Sequence, residues 1–288
     1  MIFDENYTTR DGIAIPKLAL GTWLMENEEA AKSVKAAIEM GYRHIDTAQA
    51  YGNEQGVAQG VRLSGVPRET LFLTSKVAAE HKSYREAADS IDATLEKMGM
   101  DYMDMMLIHS PQPWAEVNQS DNRYFEENKE VWRAMEDAHK AGKVRVIGVS
   151  NFLEEDIENL LTDSVVSPMV NQILAHVTNT PFSLIDHCKE KDILVEAYSP
   201  IAHGEVLKNR EVADMAKKYH VSTAQLCLKY DLQLGMIVLP KTTNPDHMRS
   251  NAQLDFVISD ADMQHLKNLE RIQDYGDSSF FPVYGGKM

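Results

Sequence analysis

The stretch LFLTSKVAAEHKSYREAADSIDATLEKMGMDYMDMMLIH, residues 71–109, carries the alternation that decides the fold. Its two ends, 71–76 and 103–109, are apolar almost without interruption. A half-exposed strand would alternate polar and apolar residues, so these runs read as strands covered on both faces, as in a parallel sheet. Between them, 84–98 repeats its apolar residues at helical spacing and stops at Gly99, where a left-handed cap is expected. Parallel neighbours need such a crossover.

The same unit recurs outward in both directions. Further apolar runs fall at 17–21, 42–46, 144–150, 169–172, 193–198 and 236–241, eight in all. Helical patterns are expected at 28–40, 125–141, 154–161, 182–191, 210–219, 223–234, from Pro245 onward and at 260–272. Eight units in 288 residues leave 36 residues for each, which fits an α/β fold of the (β/α)8 TIM-barrel type. A doubly wound sheet is the alternative, but no GxGxxG follows an early strand. Residues 7–16 read as a small N-terminal hairpin turning at Asp11-Gly12 and able to plug the barrel floor. Residues 111–124 read as a long loop, and the aromatic C-terminal tail, 274–288, as a cover over the barrel mouth. No composition break divides the chain, so 1–288 is expected to be one domain.

Composition narrows the function classes. Apolar residues make up 43% and charged residues 25%, ordinary for a packed domain and too apolar for long disorder. The net charge of −15 repels phosphate backbones, so no nucleic-acid partner is expected. No apolar run reaches membrane-spanning length, and no signal-peptide pattern opens the chain. Cys188 and Cys227 lie in helical patterns without metal spacing and read as buried thiols, consistent with a cytoplasmic location. A monomer is expected, with no membrane partner.

In a barrel of this type chemistry gathers at the C-terminal ends of the strands. The runs end at Thr22-Trp23, Asp46, Lys76, His109, Ser150-Asn151, Asn171-Gln172, Tyr198-Ser199 and Lys241-Thr242. Serines there have a bland reading as helix caps. Lysine is a poor cap, and His109 closes an apolar strand. Asp46, Lys76 and His109 would therefore reach one rim from three consecutive strands, and Tyr51 follows Asp46 closely enough to fold back over it. Alone, Tyr51 reads as a packing aromatic and His109 as a core histidine. Together they have a chemical logic. An ammonium lowers a phenol's pKa, a carboxylate keeps the ammonium charged, and an imidazole orients a carbonyl. The set suits proton delivery to a developing alkoxide. It contains no evident nucleophile and no metal cluster. An alkoxide arises when hydride reaches a carbonyl carbon, so a hydride carrier is needed. Ser150, Asn151 and Gln172 could meet a carboxamide, Tyr198 a flat ring, and Lys241 with Thr242 an anion.

With those residues placed, the chain resembles the aldo-keto reductase superfamily, of the bacterial diketogulonate-reductase-like kind, over about residues 7–272. The resemblance rests on GYRHIDTAQAYGNE (41–54), SKV (75–77), MLIHSP (106–111), GKVRVIGVSNF (142–152), VNQ (170–172), EAYSPIAHG (196–204) and LPKT (239–242), in the family's order. It implies an NADPH-dependent oxidoreductase that reduces aldehyde or ketone carbonyls, with NADH as the alternative cofactor. It implies Tyr51 as acid, Lys76 and Asp46 as its tuning pair, and His109 orienting the carbonyl. Thr22, Trp23, Ser150, Asn151, Gln172, Tyr198, Ser199, Ile201, Lys241, Thr242, His247 and Asn251 would contact the cofactor. Trp23, Ser110 and Trp114 would line the substrate pocket. Two departures stand out: His247 replaces a usual arginine, and Ser110 replaces a tryptophan found after the histidine in many members. Competing readings are a Schiff-base lyase using Lys76 and a cofactor-binding regulatory subunit.

Overall fold

All eight expected runs form strands. The computed structural model describes residues 1–284. Strands β1 (Asn6–Thr8) and β2 (Ala14–Pro16) form the antiparallel hairpin. The barrel strands follow as β3 (Ala19–Gly21), β4 (His44–Asp46), β5 (Phe72–Val77), β6 (Met103–Ile108), β7 (Val144–Ser150), β8 (Val170–Leu174), β9 (Leu194–Tyr198) and β10 (Ile237–Leu239). They pair in sequence order and in parallel. Bridges Leu18–Val238 and Gly21–Lys241 join the last strand to the first, closing the barrel.

Helices alternate with the strands: α1 (Asn27–Met40), α2 (Glu54–Ser64), α3 (Tyr84–Met98), α4 (Phe125–Lys140), α5 (Glu154–Leu161), α6 (Phe182–Glu190), α7 (Arg210–Lys218), α8 (Thr223–Gln233), α9 (Pro245–Asn251) and α10 (Asp260–Lys267). Pro245 does open a helix, capped by the Asn244 side chain on the Asp246 N–H. Two helical expectations need correction. Helix α2 was not anticipated, because Gly56 and Gly60 weaken its intrinsic propensity. Those glycines are there for packing: a Cβ at Gly56 would lie 2.2 Å from the Asn27 carbonyl oxygen, and one at Gly60 2.7 Å from that of Ala31. Helix α10 stops at Lys267 rather than running to 272. The Asn268 side chain bonds the Gln264 carbonyl there, and the chain then turns so that the Ile272 N–H reaches the Thr178 carbonyl.

Every residue of β5 is buried, as a strand covered on both sides requires. Leu73, Met106, Ile147 and Val238 face outward onto the helices. Phe72, Met105, Leu107, Val146, Val170 and Ile237 pack inside the barrel with Ile15 of the hairpin, which is fully buried. The hairpin thus stoppers the floor. Period-two alternation then fixes which residues occupy the top of the lumen. Counting upward from these inward positions gives Thr74 and Lys76, His109, Ser150, Gln172, and Leu239 with Lys241. The tail turns back over this end through residues 276–284, where the Asn118 side chain donates to the Pro282 carbonyl. Residues 285–288 of the expected cover lie outside the described part.

Candidate active site

Strand phase and one tight turn assemble the core of the site. Asp46 ends β4, and residues 49–51 form a single 3-10 turn closed by Gly52 in the left-handed region. That turn carries Tyr51 back over the strand ends. Lys76 Nζ, fully buried, donates to Asp46 Oδ1 at 2.7 Å, to Asp46 Oδ2 at 2.8 Å and to the Thr47 carbonyl at 2.9 Å. Its distance to the Tyr51 hydroxyl is 3.5 Å. The His109 ring meets Tyr51 edge-on with centroids 5.6 Å apart. The four groups expected to converge do so.

Their electrostatics follow from burial and pairing. Burial works to discharge Lys76, but the Asp46 carboxylate and Tyr51 outweigh it and hold the pKa above its ordinary value. Lys76 is therefore an ammonium at neutral pH. Burial raises the Tyr51 pKa; Lys76 opposes this and Asp46 adds to it, and the net direction is upward. The expected lowering by Lys76 is present but is outweighed, so the resting side chain is a phenol with its proton in place. Burial, with the Lys76 charge, pushes His109 well below its usual range. It is a neutral imidazole, and its Nδ1 has no hydrogen-bond partner.

These groups face a cavity of about 490 Å³. Trp23 and Trp114 line it as expected, and Trp114 stands edge-on to His109 at 4.9 Å. The tail supplies Phe281, Val283 and Tyr284. Phe281 packs edge-on to Trp23 at 4.5 Å, and Tyr284 bonds both Ser199 and His203. His203 also lines the cavity, with its ring 5.3 Å from Trp23. A backbone in the left-handed region at Ser199, Ala202 and His203 turns this segment, with Ile201, over the opening.

Ser150, Asn151, Gln172, Tyr198 and Lys241 line the same cavity. Asn151 is committed internally. It donates to the His109 carbonyl and to Ser150 Oγ, and accepts from the Tyr198 hydroxyl at 2.7 Å. That leaves the Ser150 hydroxyl as a donor and Gln172 Oε1 as an acceptor, the pair a carboxamide needs. Tyr198 adds an aromatic wall. Lys241, exposed and in no ion pair among the described residues, adds a cation. The donor set fits a nicotinamide dinucleotide.

The remaining expected residues lie elsewhere. Thr22 is buried with its hydroxyl on the Asp46 carbonyl. Ser110 is fully buried and lines a separate cavity with residues of the 111–123 loop; it follows the lumen-facing His109 and so falls on the other face of the strand end. Thr242 accepts from the Asn244 N–H. His247 is exposed on α9 and Asn251 is buried at its end, near Lys241 in sequence but outside the Tyr51 cavity lining. Arg249 pairs with Asp246 at 2.9 Å. Sequence reasoning also missed Glu196, which is fully buried and accepts from Gln172. The signal was an ionisable residue inside the apolar run ILVEAY. Among the described residues no cluster of three or more metal-ligating side chains occurs, and no helix is long and apolar enough to cross a membrane.

Comparison with known proteins adds the following. Residues 17–271 match the model of the Aldo/keto reductase family. A glyoxal reductase of Bacillus subtilis is 41% identical over 268 residues, covering 92% of this chain and 93% of that protein. An aldehyde reductase of Saccharomyces cerevisiae is 37% identical over 281 residues, covering 91% and 89%. The crystal structure of a Bombyx mori aldo-keto reductase in complex with NADP superposes with a TM-score of 0.85 at 32% identity, covering 98% of each chain.

Proposed function

The chain belongs to the aldo/keto reductase family, and from that premise we propose that Tyr51, Lys76, Asp46 and His109 carry an NADPH-dependent reduction of aldehyde or ketone carbonyls to alcohols. The bound cofactor supplies hydride to the carbonyl carbon. The protein's own residues do the rest. The His109 imidazole, neutral and walled by Tyr51 and Trp114, directs a ring N–H to the carbonyl oxygen. The Tyr51 O–H passes its proton to that oxygen as negative charge develops. The Lys76 ammonium, 3.5 Å away, stabilises the phenolate left behind, and Asp46 keeps Lys76 charged. Ser150 and Gln172 hold the carboxamide, Tyr198 backs the ring, and Lys241 with Thr242 and His247 meets the adenosine phosphate.

The single observation that carries this reading is the ammonium fixed between a carboxylate and a phenol at the floor of the cavity. It also decides against a Schiff-base lyase. A Schiff base requires a free amine, and Lys76 is locked by both Asp46 oxygens with its pKa raised.

The aromatic walls Trp23, Trp114 and Phe281 favour small or aromatic aldehydes, in keeping with relatives named glyoxal reductase and aldehyde reductase. The buried, unpaired Cys188 and Cys227 support a cytoplasmic setting. The charge of −15 supports a chain with no nucleic-acid partner. We read it as a monomeric single domain that acts on a small-molecule carbonyl.

Tyr51→Phe tests the assignment. NADPH oxidation with an aldehyde panel should fall by about 10²–10⁴-fold, the range for loss of a general acid, while NADPH affinity stays within about threefold. Unchanged turnover would remove Tyr51 from the role.

A further inference from the structure

Beneath the four reacting groups lies a second layer of polar side chains that the proton transfer does not use. Gln172 and Glu196 are register partners on β8 and β9, so they point the same way into the lumen. Gln172 Nε2 lies 2.9 Å from Asp46 Oδ2 and 2.9 Å from Glu196 Oε2. An amide nitrogen has two hydrogens, and both are taken. Gln172 lines the cavity, so its carbonyl oxygen is the group it presents there. Asp46 would need this bond for no reaction step, and Glu196 touches none of the four reacting groups by hydrogen bond.

We propose that Glu196 is a positioning residue of the cofactor site: it fixes the Gln172 amide so that Oε1 faces the carboxamide, and its ionisation shifts the site's preference between the reduced and oxidised forms of the nicotinamide. The inference rests on the reading of the cavity as a nicotinamide site.

The charge arrangement carries the argument. Glu196 is fully buried. The groups facing it are His44 and Asp46 from β4 and Lys76 from β5; its β10 partner is the apolar Ile237. His44 is neutral, because burial holds its pKa down to about 3, and it bonds Thr74 Oγ1 at 2.9 Å. Its Nε2 stands 3.7 Å from Glu196 Oε1, which has no hydrogen-bond partner. One cation thus serves two carboxyls, and Lys76 spends both of its carboxylate contacts on Asp46. Burial first, and then the Asp46 charge, push Glu196 up to about 8, with Gln172 and Lys76 opposing. Near neutrality the trio Asp46, Lys76 and Glu196 carries no net charge. When Glu196 ionises, the trio carries one negative charge below the ring site. The oxidised nicotinamide ring is cationic and the reduced ring is neutral, so the added charge favours the oxidised form. By reciprocity, binding the oxidised form favours loss of the Glu196 proton.

The other titrating groups near the cavity fall outside this window or away from the layer. Tyr51 is raised above 10 and His203 is lowered below 6.5. Lys82, held down to about 8 by burial, binds the carbonyls of Ser110 and Pro111.

The test is fluorescence titration of the full chain with NADPH and with NADP+ between pH 6.5 and 9.5. In the ratio of the two dissociation constants, contacts made equally by both forms, including phosphate contacts, cancel. For the parent protein the ratio Kd(NADP+)/Kd(NADPH) should fall by about fivefold or more as pH rises. In Glu196→Gln, which keeps an oxygen for Gln172 and cannot ionise, the ratio should be flat. In Glu196→Leu both forms should bind more weakly and the ratio should again be flat. A flat ratio in the parent overturns the inference without any variant, and so does an unchanged slope in Glu196→Gln. Greater proton release on adding NADP+ than on adding NADPH at pH 8, followed with an indicator in weak buffer so that the shared phosphate's contribution cancels, supports it independently. Failure of the parent to bind either form would overturn the cofactor reading itself, and the inference with it.

Discussion

Replacing Asp46 by asparagine removes the charge that keeps a buried ammonium in place while nearly preserving shape. The parent Lys76 is held by Asp46 Oδ1 and Oδ2 at 2.7 and 2.8 Å and is fully buried. In the variant the asparagine oxygen can still accept one hydrogen bond. Its amide, however, brings further N–H donors against Lys76 Nζ and Gln172 Nε2, both of which need acceptors. Breaking one side of a buried pair typically costs about 3–5 kcal/mol. A ceiling comes from the alternative of discharging the lysine. From a reference pKa of about 10.4, doing so at pH 7 spans roughly 3.4 pH units at about 1.36 kcal/mol each, or about 4.6 kcal/mol. At pH 9 the same step costs about 2 kcal/mol. The sign follows from linkage. The parent Lys76 pKa is raised, so its stabilising contribution is fully present below the unfolded pKa and is lost only as pH rises through the folded value. The penalty of Asp46→Asn should therefore be largest near neutrality and shrink as the medium becomes alkaline. At about 2 °C per kcal/mol, circular-dichroism melts should show a drop of about 6–9 °C at pH 7 and about 4 °C at pH 9. A drop that does not depend on pH, or one below about 1 °C at pH 7, would refute the account of the pair.

Gly56→Ala should lower the melting temperature by several degrees, because the new Cβ meets the Asn27 backbone at 2.2 Å and overpacking of this kind costs about 1–3 kcal/mol or more; an unchanged melt would mean that α1 and α2 can separate freely. His247→Arg should tighten NADPH about tenfold relative to NADH through a charge-assisted bond to the 2′-phosphate; equal effects on both cofactors in titration would place position 247 away from that phosphate. Cys188 and Cys227, buried and with thiol pKa values pushed upward by burial, should resist an aromatic disulfide reagent in the native protein and react in denaturant; fast native labelling of either would contradict their burial.

The order of strands and helices was legible in the chain because each strand, buried on both faces, had to be apolar throughout, and each crossover had to be amphipathic. The strand ends were legible for the same reason: Asp46, Lys76 and His109 interrupt apolar runs that have no local use for a charge. Helix α2 was not legible, since Gly56 and Gly60 look like breakers until α1 is seen lying against them. Nor could local pattern show that Ser110 shares a separate cavity with the 111–123 loop, that His203 and Tyr284 meet over the opening, or that burial outweighs Lys76 at Tyr51. These depend on how far apart groups lie and how much water reaches them, and residues remote in the chain set both. Sequence alone thus determined which residues could do chemistry and at which end of the barrel. Closure of the barrel, joining β10 to β3 and bringing Gln172 and Glu196 across the lumen to Asp46 and His44, decided which of them are charged, because solvation and pair distances exist only once the chain has folded.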